Sequence, residues 1–369
     1  MRLALVKCHG SGNDFPLLDA RSVRFDDDIW ATVAEALADH AGPVGGDGLL
    51  LLTAGGGGHP FGMRMFNPDG SEAELCLNGL RCVARLGIEQ TGLAEASIRC
   101  KASTVEAARV GDLAPGVYTV RAVAGPAMLD VTAWPMNVGA VEVVEAPLPR
   151  LGSDRLFTAV AMPNPHLVAF VDAIDEAELV AVGEAAQDSP AWMPKRANVS
   201  FVELRAKADA DNEIAGLYVR TFERGVGLTD SCGSAMAASV YAACLTGRVD
   251  YDREVTVWNK GGLVRASAEV GGEVTLSGNA TWEWEGSVDI DPATGAVSDV
   301  SVDRRFADEA AAWAALAATP AGARVEAAAA PIPAFDDPLD IGPLPGATSP
   351  GGAIVWDEPM IASKVRQPD

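Results

Sequence analysis

The chain has 369 residues, with 28 Lys and Arg against 51 Asp and Glu, so its formal net charge is −23 at pH 7. That balance excludes nucleic acid as a partner, because nothing would neutralise its phosphates; much of the charge reads as a solubility device. Hydrophobic residues make up 49% of the chain, which supplies material for globular cores and, at this length, for two domains and something extra, while no 18-residue apolar run offers a membrane span.

Leu3 to Cys8 is predicted as the first strand, followed by a turn at Gly10-Ser11-Gly12-Asn13-Asp14. The opening stretch, Met1 to Lys7, is too soon interrupted for a signal peptide, so the expected location is cytoplasmic. Asp26 to His40 reads as a helix, acidic at its start and with Ile29, Val33, Ala36 and Leu37 on one face. Gly45-Gly46-Asp47-Gly48 turns the chain into a buried strand, Leu49 to Leu52, and Gly55 to Gly58 make a hairpin loop. Phe61, Met63 and Met65 then alternate with Gly62, Arg64 and Phe66 in a strand that leaves through the turn signal Asn67-Pro68-Asp69-Gly70. Cys76 stands just ahead of a helix that opens Asn78-Gly79-Leu80-Arg81-Cys82, and residues 97–124 read as further strands.

The second half repeats this order. Leu156 to Met162 is a strand, Asn164-Pro165-His166 a turn and Leu167 to Val171 a strand; Glu176 to Gln187 is helical. Val199 to Leu204 and Leu217 to Phe222 are strands, the latter feeding Glu223-Arg224-Gly225-Val226-Gly227-Leu228-Thr229-Asp230-Ser231-Cys232-Gly233-Ser234 and an Ala-rich helix, Met236 to Leu245. Strands follow at Val255 to Trp258, Leu263 to Val270 and Val274 to Ser277. The recurrence of strand, turn, cysteine and helix points to a duplicated domain, residues 1–127 and 128–280, with one cysteine from each copy. Beyond Asp291 the composition turns Ala- and Pro-rich. Glu309 to Leu316 reads as a short helix, and the extension 291–369 is expected to be largely flexible, with Ile354-Val355-Trp356 as a segment able to dock.

A thiol at a helix start faces unpaired N–H groups and the positive end of the helix dipole, which lower its pKa from about 8.5 toward roughly 3.5–7.5. Cys76 and Cys232 are therefore the candidate reactive pair, whereas Cys82 and Cys244 read as small buried hydrophobes. Two thiols facing each other across a carbon atom could act as base on one face and acid on the other. The N–H groups of Leu77 and Asn78, and of Gly233 and Ser234, could hold an anionic group as negative charge builds. No Cys-x-x-Cys pair or histidine cluster has zinc-ligand spacing, and Gly10-Ser11-Gly12 lacks the third glycine of a dinucleotide loop, so neither metal nor cofactor is expected.

The two cysteine segments, with Gly10-Ser11-Gly12-Asn13-Asp14-Phe15, Asn164-Pro165-His166 and Ala197-Asn198-Val199 in the same order, resemble the signatures of the diaminopimelate epimerase family over roughly residues 1–290. The resemblance implies an α/β fold of two pseudo-symmetric domains, each a curved, mainly antiparallel sheet around a central helix. The active site would lie between them, and a strand at about 281–290 would return to the first domain. It implies cofactor-independent interconversion of LL- and meso-diaminopimelate, in lysine biosynthesis and peptidoglycan precursor supply, by Cys76 and Cys232. His166 and Glu223 would bias the thiol pKa values; Asn13, Asn67, Asn164 and Asn198 would bind the distal amino-acid end; Arg224 would pair with the distal carboxylate. The expected partner is a small amino-acid substrate, and a homodimer is left open. Leu77 stands where the family usually has glycine, Leu228 replaces a usual glutamate, and Gly48 stands where some members carry glutamine. These departures leave open a related racemase for another amino acid, or a non-catalytic amino-acid-binding homologue. A thiol redox protein using the same two cysteines is a third class.

Overall fold

The computed structural model describes residues 1–162, 164–188, 191–206 and 214–325. Ile354-Val355-Trp356 therefore lies outside the described residues. In the first half, β1 (Arg2–Gly10), β2 (Asn13–Asp19), α1 (Asp27–Ala38), β3 (Leu49–Gly56), β4 (His59–Phe66) and β5 (Glu72–Ala73) lead into α2 (Leu77–Thr91). β6 (Glu95–Arg99), β7 (Thr104–Val110) and β8 (Thr119–Pro126) complete it. The second half runs β9 (Ala146–Pro147), β10 (Leu156–Met162), β11 (Asn164–Phe170), α3 (Glu176–Asp188), β12 (Asn198–Ala206), β13 (Ile214–Glu223) and β14 (Gly227–Thr229). α4 (Gly233–Leu245), β15 (Val255–Asn259), β16 (Gly262–Ala268) and β17 (Glu273–Asn279) follow. Last come β18 (Thr281–Ile290), β19 (Val297–Arg305), α5 (Ala307–Ala317) and β20 (Arg324–Val325).

Pairing is antiparallel except for four parallel pairs among the described residues: β2 with β3, β4 with β6, β11 with β12, and β13 with β15. Each half wraps its strands around one helix. α2 packs on β1 to β4 and β6 to β8, and α4 on β10 to β13, β16 and β17. The strand expected near 281–290 is β18, and it runs antiparallel to β1, Arg2 opposite Asp289 and His9 opposite Thr281. β8 pairs with β17, so strands from the two halves form one sheet.

Both central helices are buried nearly all round, which sets their composition. α4 is Ala-rich because strands close in on every side, and its Ser239 hydroxyl is satisfied by the Ala235 carbonyl at 2.7 Å. α2 starts at Cys76, whose sulfur accepts the Gly79 N–H, and ends at Gly92 in the left-handed region (φ 71°), whose N–H caps the Ile88 carbonyl. Leu80, Val83, Met236 and Val240 from the two helices share one core; full burial of such a side chain contributes about 1.5–3 kcal/mol. No helix among the described residues is long and apolar enough to cross a membrane.

Two expectations need correction. Asn164-Pro165-His166 is the start of β11 rather than a turn: Asn164 already pairs with Met162 of β10, and Pro165 with Ala161. Pro165 fits there because its partner on β10, Ala161, directs its own N–H and carbonyl to Met128, and parallel pairing with β12 begins only at His166, so no ladder bond needs the missing N–H. The extension, expected to be largely flexible from residue 291, is folded over 297–325. β19 pairs with β18 and β20 with β12. Between them α5 buries Trp313 against Leu263, Leu113 and Val117.

Candidate active site

Cys76 and Cys232 cap α2 and α4 with the same backbone conformation, φ −131° and ψ 110° against φ −132° and ψ 110°. The two helix starts meet. A Cβ placed on Gly233 would lie 2.9 Å from the Leu77 Cβ and 3.4 Å from Asn78 Oδ1. Asn78, fully buried, donates to Ser231 Oγ at 3.1 Å and so bonds the first helix start to the residue before the second cysteine. Asn259 Nδ2 donates to the same hydroxyl at 3.0 Å. Turns meet beside them: Gly12 (φ 79°) lies so close to the Gly261 carbonyl that a Cβ would approach it to 2.7 Å.

Around Cys76, Asn13 Oδ1 accepts from the thiol at 3.6 Å, while Asn13 Nδ2 donates to Asp47 Oδ2 at 2.6 Å. Asp47 also accepts the Asp14 N–H and lies 3.3 Å from His40 Nε2, so the Asn13 amide is held with its oxygen toward sulfur. Around Cys232, the Ser234 hydroxyl lies 3.5 Å from sulfur. The Glu223 carboxylate accepts a hydrogen bond from Thr229 Oγ1 at 2.5 Å, and its charge acts on the Cys232 thiol. The buried guanidinium of Arg220 bonds the Thr229 carbonyl at 2.8 Å and pairs with Glu176, which fixes the strand ahead of Cys232. A shallow indentation beside Cys232 is lined by Thr221, Thr229, Asp230, Ser231, Met236 and Asn259.

The expectation that the helix starts lower the thiol pKa values is reversed. Burial pushes Cys76 up to about 11, opposed by the Gly79 N–H and reinforced by the charge of Glu223. Burial also raises Cys232 well above its ordinary value, again with Glu223 adding to the rise. Loss of hydration outweighs the partial charges of a few N–H groups at the buried Cys232 and the half-buried Cys76. Glu223 is itself raised by burial, against the hydrogen bond from Thr229.

The other sequence-derived residues form a second group joined to the first through Glu223 and Arg224. Asn198 Oδ1 accepts the Arg224 N–H at 2.8 Å, and Arg224 Nη1 reaches the Lys195 carbonyl at 2.8 Å while its side chain stays exposed. His166 lies beside Asn198 in the β11–β12 pair, with Nε2 3.2 Å from Asn164 Oδ1. Burial, and then the charge of Arg224, lower its pKa to about 3. Its Nδ1 is buried without a partner among the described residues. Asn67 stands apart: its Nδ2 bonds Ser71 Oγ at 2.9 Å within its own turn.

The three departures have structural counterparts. Leu77 is buried against Gly233, so the side chain after the first cysteine occupies the space left by its absence after the second. At Gly48 a Cβ would meet the Phe66 carbonyl at 2.5 Å, so a glutamine there needs a different backbone. Leu228 packs on the core of the second half. Asp14, His40 and Asp47 bring ligand atoms within 4.8 Å of one another, but Lys7 pairs with Asp14, and Asn13 and His40 engage Asp47.

The profile of the family described as diaminopimelate epimerase matches residues 5–115 and 158–283. The chain belongs to the diaminopimelate epimerase family. A diaminopimelate epimerase of Clostridium acetobutylicum is 37% identical over 297 residues, covering 79% of this chain and 87% of the relative. One from Listeria innocua is 35% identical over 302 residues, 78% and 89% of the two chains. Among solved structures, a phenazine biosynthesis protein of the PhzF family from Bacillus anthracis superposes with a TM-score of 0.55 at 15% identity, over 79% of this chain and 100% of that one. A hydroxyproline epimerase from Agrobacterium vitis gives a TM-score of 0.52 at 14% identity, over 86% and 98%. These two are likenesses of fold.

Residues that sequence reasoning missed also sit among the epimerase-family segments. Asp47 lies in a Gly-Gly-Asp-Gly stretch that reads as a turn, and Ser231 and Thr229 lie inside the second cysteine segment. Arg81, three residues past Asn78, has the same standing.

Proposed function

We propose that the protein is a cofactor-independent amino-acid epimerase that interconverts LL- and meso-diaminopimelate through Cys76 and Cys232. The observation that carries this reading is the pair of cysteines in matching N-cap conformations on two helix starts that touch. With an amino acid between them, one sulfur as thiolate removes the α-proton and the other, as thiol, returns a proton to the opposite face. The negative charge that develops moves into the α-carboxylate, toward the N–H groups of Leu77 and Asn78 and of Gly233 and Ser234.

The second group suits the distal end of the substrate. Arg224 offers a planar guanidinium to a carboxylate, and neutral His166 holds a buried acceptor, Nδ1, that a bound ammonium or water would satisfy. Asn13, Asn164 and Asn198 supply further amide groups, and Asn67 joins them if its turn moves on binding. Residues 1–127 with the β18 return, and 128–280, are the two domains of this reading; the protein works in the cytoplasm, as a homodimer. Incubation with LL-diaminopimelate in D2O is expected to give meso product with deuterium at Cα. No exchange with this substrate or with any common amino acid would sink the racemase class; exchange with a different amino acid alone would keep the chemistry and replace the substrate.

A further inference from the structure

α5 lies beyond residue 283, where the family profile ends, yet it packs on the strands that carry the two turns meeting beside the cysteines. Its Trp313 is buried and sits on Gly262, where a Cβ would come within 2.3 Å of Cζ2, so only a glycine admits the ring. The same indole lies against His9 of β1, ring centroids 5.9 Å apart, and Leu113, Val117 and Leu263 close around it. On the same helix Glu309 holds Arg85 of α2 through both carboxylate oxygens and accepts the Trp282 N–H at 2.8 Å. The ring is therefore fixed in place.

Two chains of contact run from it. Gly262 closes the turn that Asn259 opens. From that turn Asn259 Nδ2 donates to Ser231 Oγ at 3.0 Å, and the Gly261 N–H donates to the Asp230 carbonyl at 2.9 Å. Asp230 and Ser231 are the two residues ahead of Cys232. On the other side, the His9 ring bonds the Asn279 amide at 3.2 Å, and Asn279 Oδ1 accepts the Ser11 N–H at 2.7 Å. Arg81 of α2, fully buried, also holds this turn, reaching Ser11 Oγ and the Asn279 carbonyl, each at 3.0 Å. Gly10 and Gly278 leave it room, since a Cβ would come within 3.0 Å of Nη2 at the first and 2.7 Å of Nε at the second. Two residues past Ser11 stands Asn13, the acceptor of the Cys76 thiol. The chains close on each other where Gly12 meets Gly261.

We propose that Trp313 is a positioning residue of the two-cysteine site, clamping the β1–β2 and β15–β16 turns together so that the C-terminal extension sets where Asn13 and Ser231 stand. Gly10, Ser11 and Gly12, and Lys260, Gly261 and Gly262, bring little apolar surface of their own, and such turns open locally unless something packs on them. An aromatic side chain supplies that cover, burying roughly 150–250 Å². The catalytic purpose of this placement rests on the functional reading above, but the placement itself is tested without turnover.

The test is native-state hydrogen exchange, read by NMR at the Ser11 and Gly261 amides, whose bonds hold the two turns. Trp313→Ala is expected to speed both by at least about tenfold, and Trp313→Phe, which keeps a ring over Gly262, to restore most of the protection. Leu179→Ala, a hole in a separate core, is expected to leave both within about threefold of wild type. Unchanged exchange at either amide in Trp313→Ala, or equal acceleration in Leu179→Ala, would overturn the proposal. If Trp313→Ala does not fold, wild type in rising, sub-denaturing urea decides: both amides are expected to lose protection no later than those of α5. Protection that outlasts the opening of α5 overturns it. Turnover supplies the link to the site: kcat of Trp313→Ala is expected to fall by about tenfold, and its loss combined with Asn13→Ala to be smaller than the product of the two. Faster exchange with unchanged turnover would also overturn the proposal. The expected exchange pattern in a protein whose wild type epimerises nothing would instead refute the functional reading alone.

Discussion

Leu77 and Gly233, the residues that follow the two cysteines, fill one space between them. The leucine side chain lies where a β-carbon on the glycine would have to stand, at 2.9 Å. Gly233→Ala is therefore expected to push the two helix starts apart, costing about 1–3 kcal/mol of stability and at least tenfold in kcat. Adding Leu77→Gly should recover most of both. Urea unfolding and turnover of the four proteins in this cycle check it, and additive effects would show that the two residues do not share the space.

Cys76→Ser and Cys232→Ser are each expected to abolish inversion while leaving the circular dichroism spectrum unchanged. Each single variant should still release a good leaving group from a β-substituted substrate analogue, because that needs only one proton transfer. Near-normal epimerisation by either variant contradicts the two-thiol mechanism.

Two buried histidines make stability depend on acid. His166 is held down to about 3, by burial and then Arg224, and His9 to about 4, by burial first. Both would titrate near 6.5 in the unfolded chain, which then binds protons the folded protein refuses. Their contribution is complete above about pH 6.5 and is lost as pH falls toward 4 and 3, by up to roughly 1.4 kcal/mol per pH unit for each. Urea midpoints between pH 7 and 4 should fall less steeply in His166→Gln and in His9→Gln than in wild type. Parallel curves would show that these rings are charged in the folded state.

Glu309 of α5 holds the largely buried Arg85 through both carboxylate oxygens and also accepts the Trp282 N–H at 2.8 Å. Glu89 remains as a second partner of Arg85, at 2.9 Å. Glu309→Ala is expected to cost about 1–3 kcal/mol, since a buried hydrogen-bonded cation loses one of two anions. Deleting residues 297–369 should cost more, because Trp313 leaves Gly262 and Leu263 as well. Removing only 326–369 is expected to leave turnover nearly unchanged, measured against the full chain.

Much of this fold is legible from periodicity. The alternating runs, the Asn-Pro-Asp-Gly turn and the two cysteine-to-helix junctions are local signals, and the observed elements start within a few residues of them. What is hidden depends on depth. Whether a helix start lowers a thiol pKa depends on how much water is left, and no local pattern encodes that for Cys76. Arg81 reads as one more residue of a helix until Gly10 and Gly278, distant in sequence, are seen to clear a pocket for it. Asp47 reads as a turn residue because its partner Asn13 lies 34 positions away, at the start of the neighbouring strand. Residues 297–325 read as weakly structured because their Ala-rich composition conceals that Arg85 and Gly262 offer Glu309 and Trp313 a place to bind.

The pairing of β1 with β18 has a consequence for the chain while it is being made. β1 leaves the ribosome long before its partner β18, which is encoded near residue 290. Arg81 and Arg85 likewise find their acceptors on Asn279 and Ala280. The first half therefore cannot finish ahead of the second as an independent unit, and folding is governed by contacts of long sequence separation. A nascent chain arrested before residue 279 is expected to be protease-sensitive across its first 127 residues, with Cys76 not yet mounted. Resistance of that segment at such a length would show that the first half closes without its last strand.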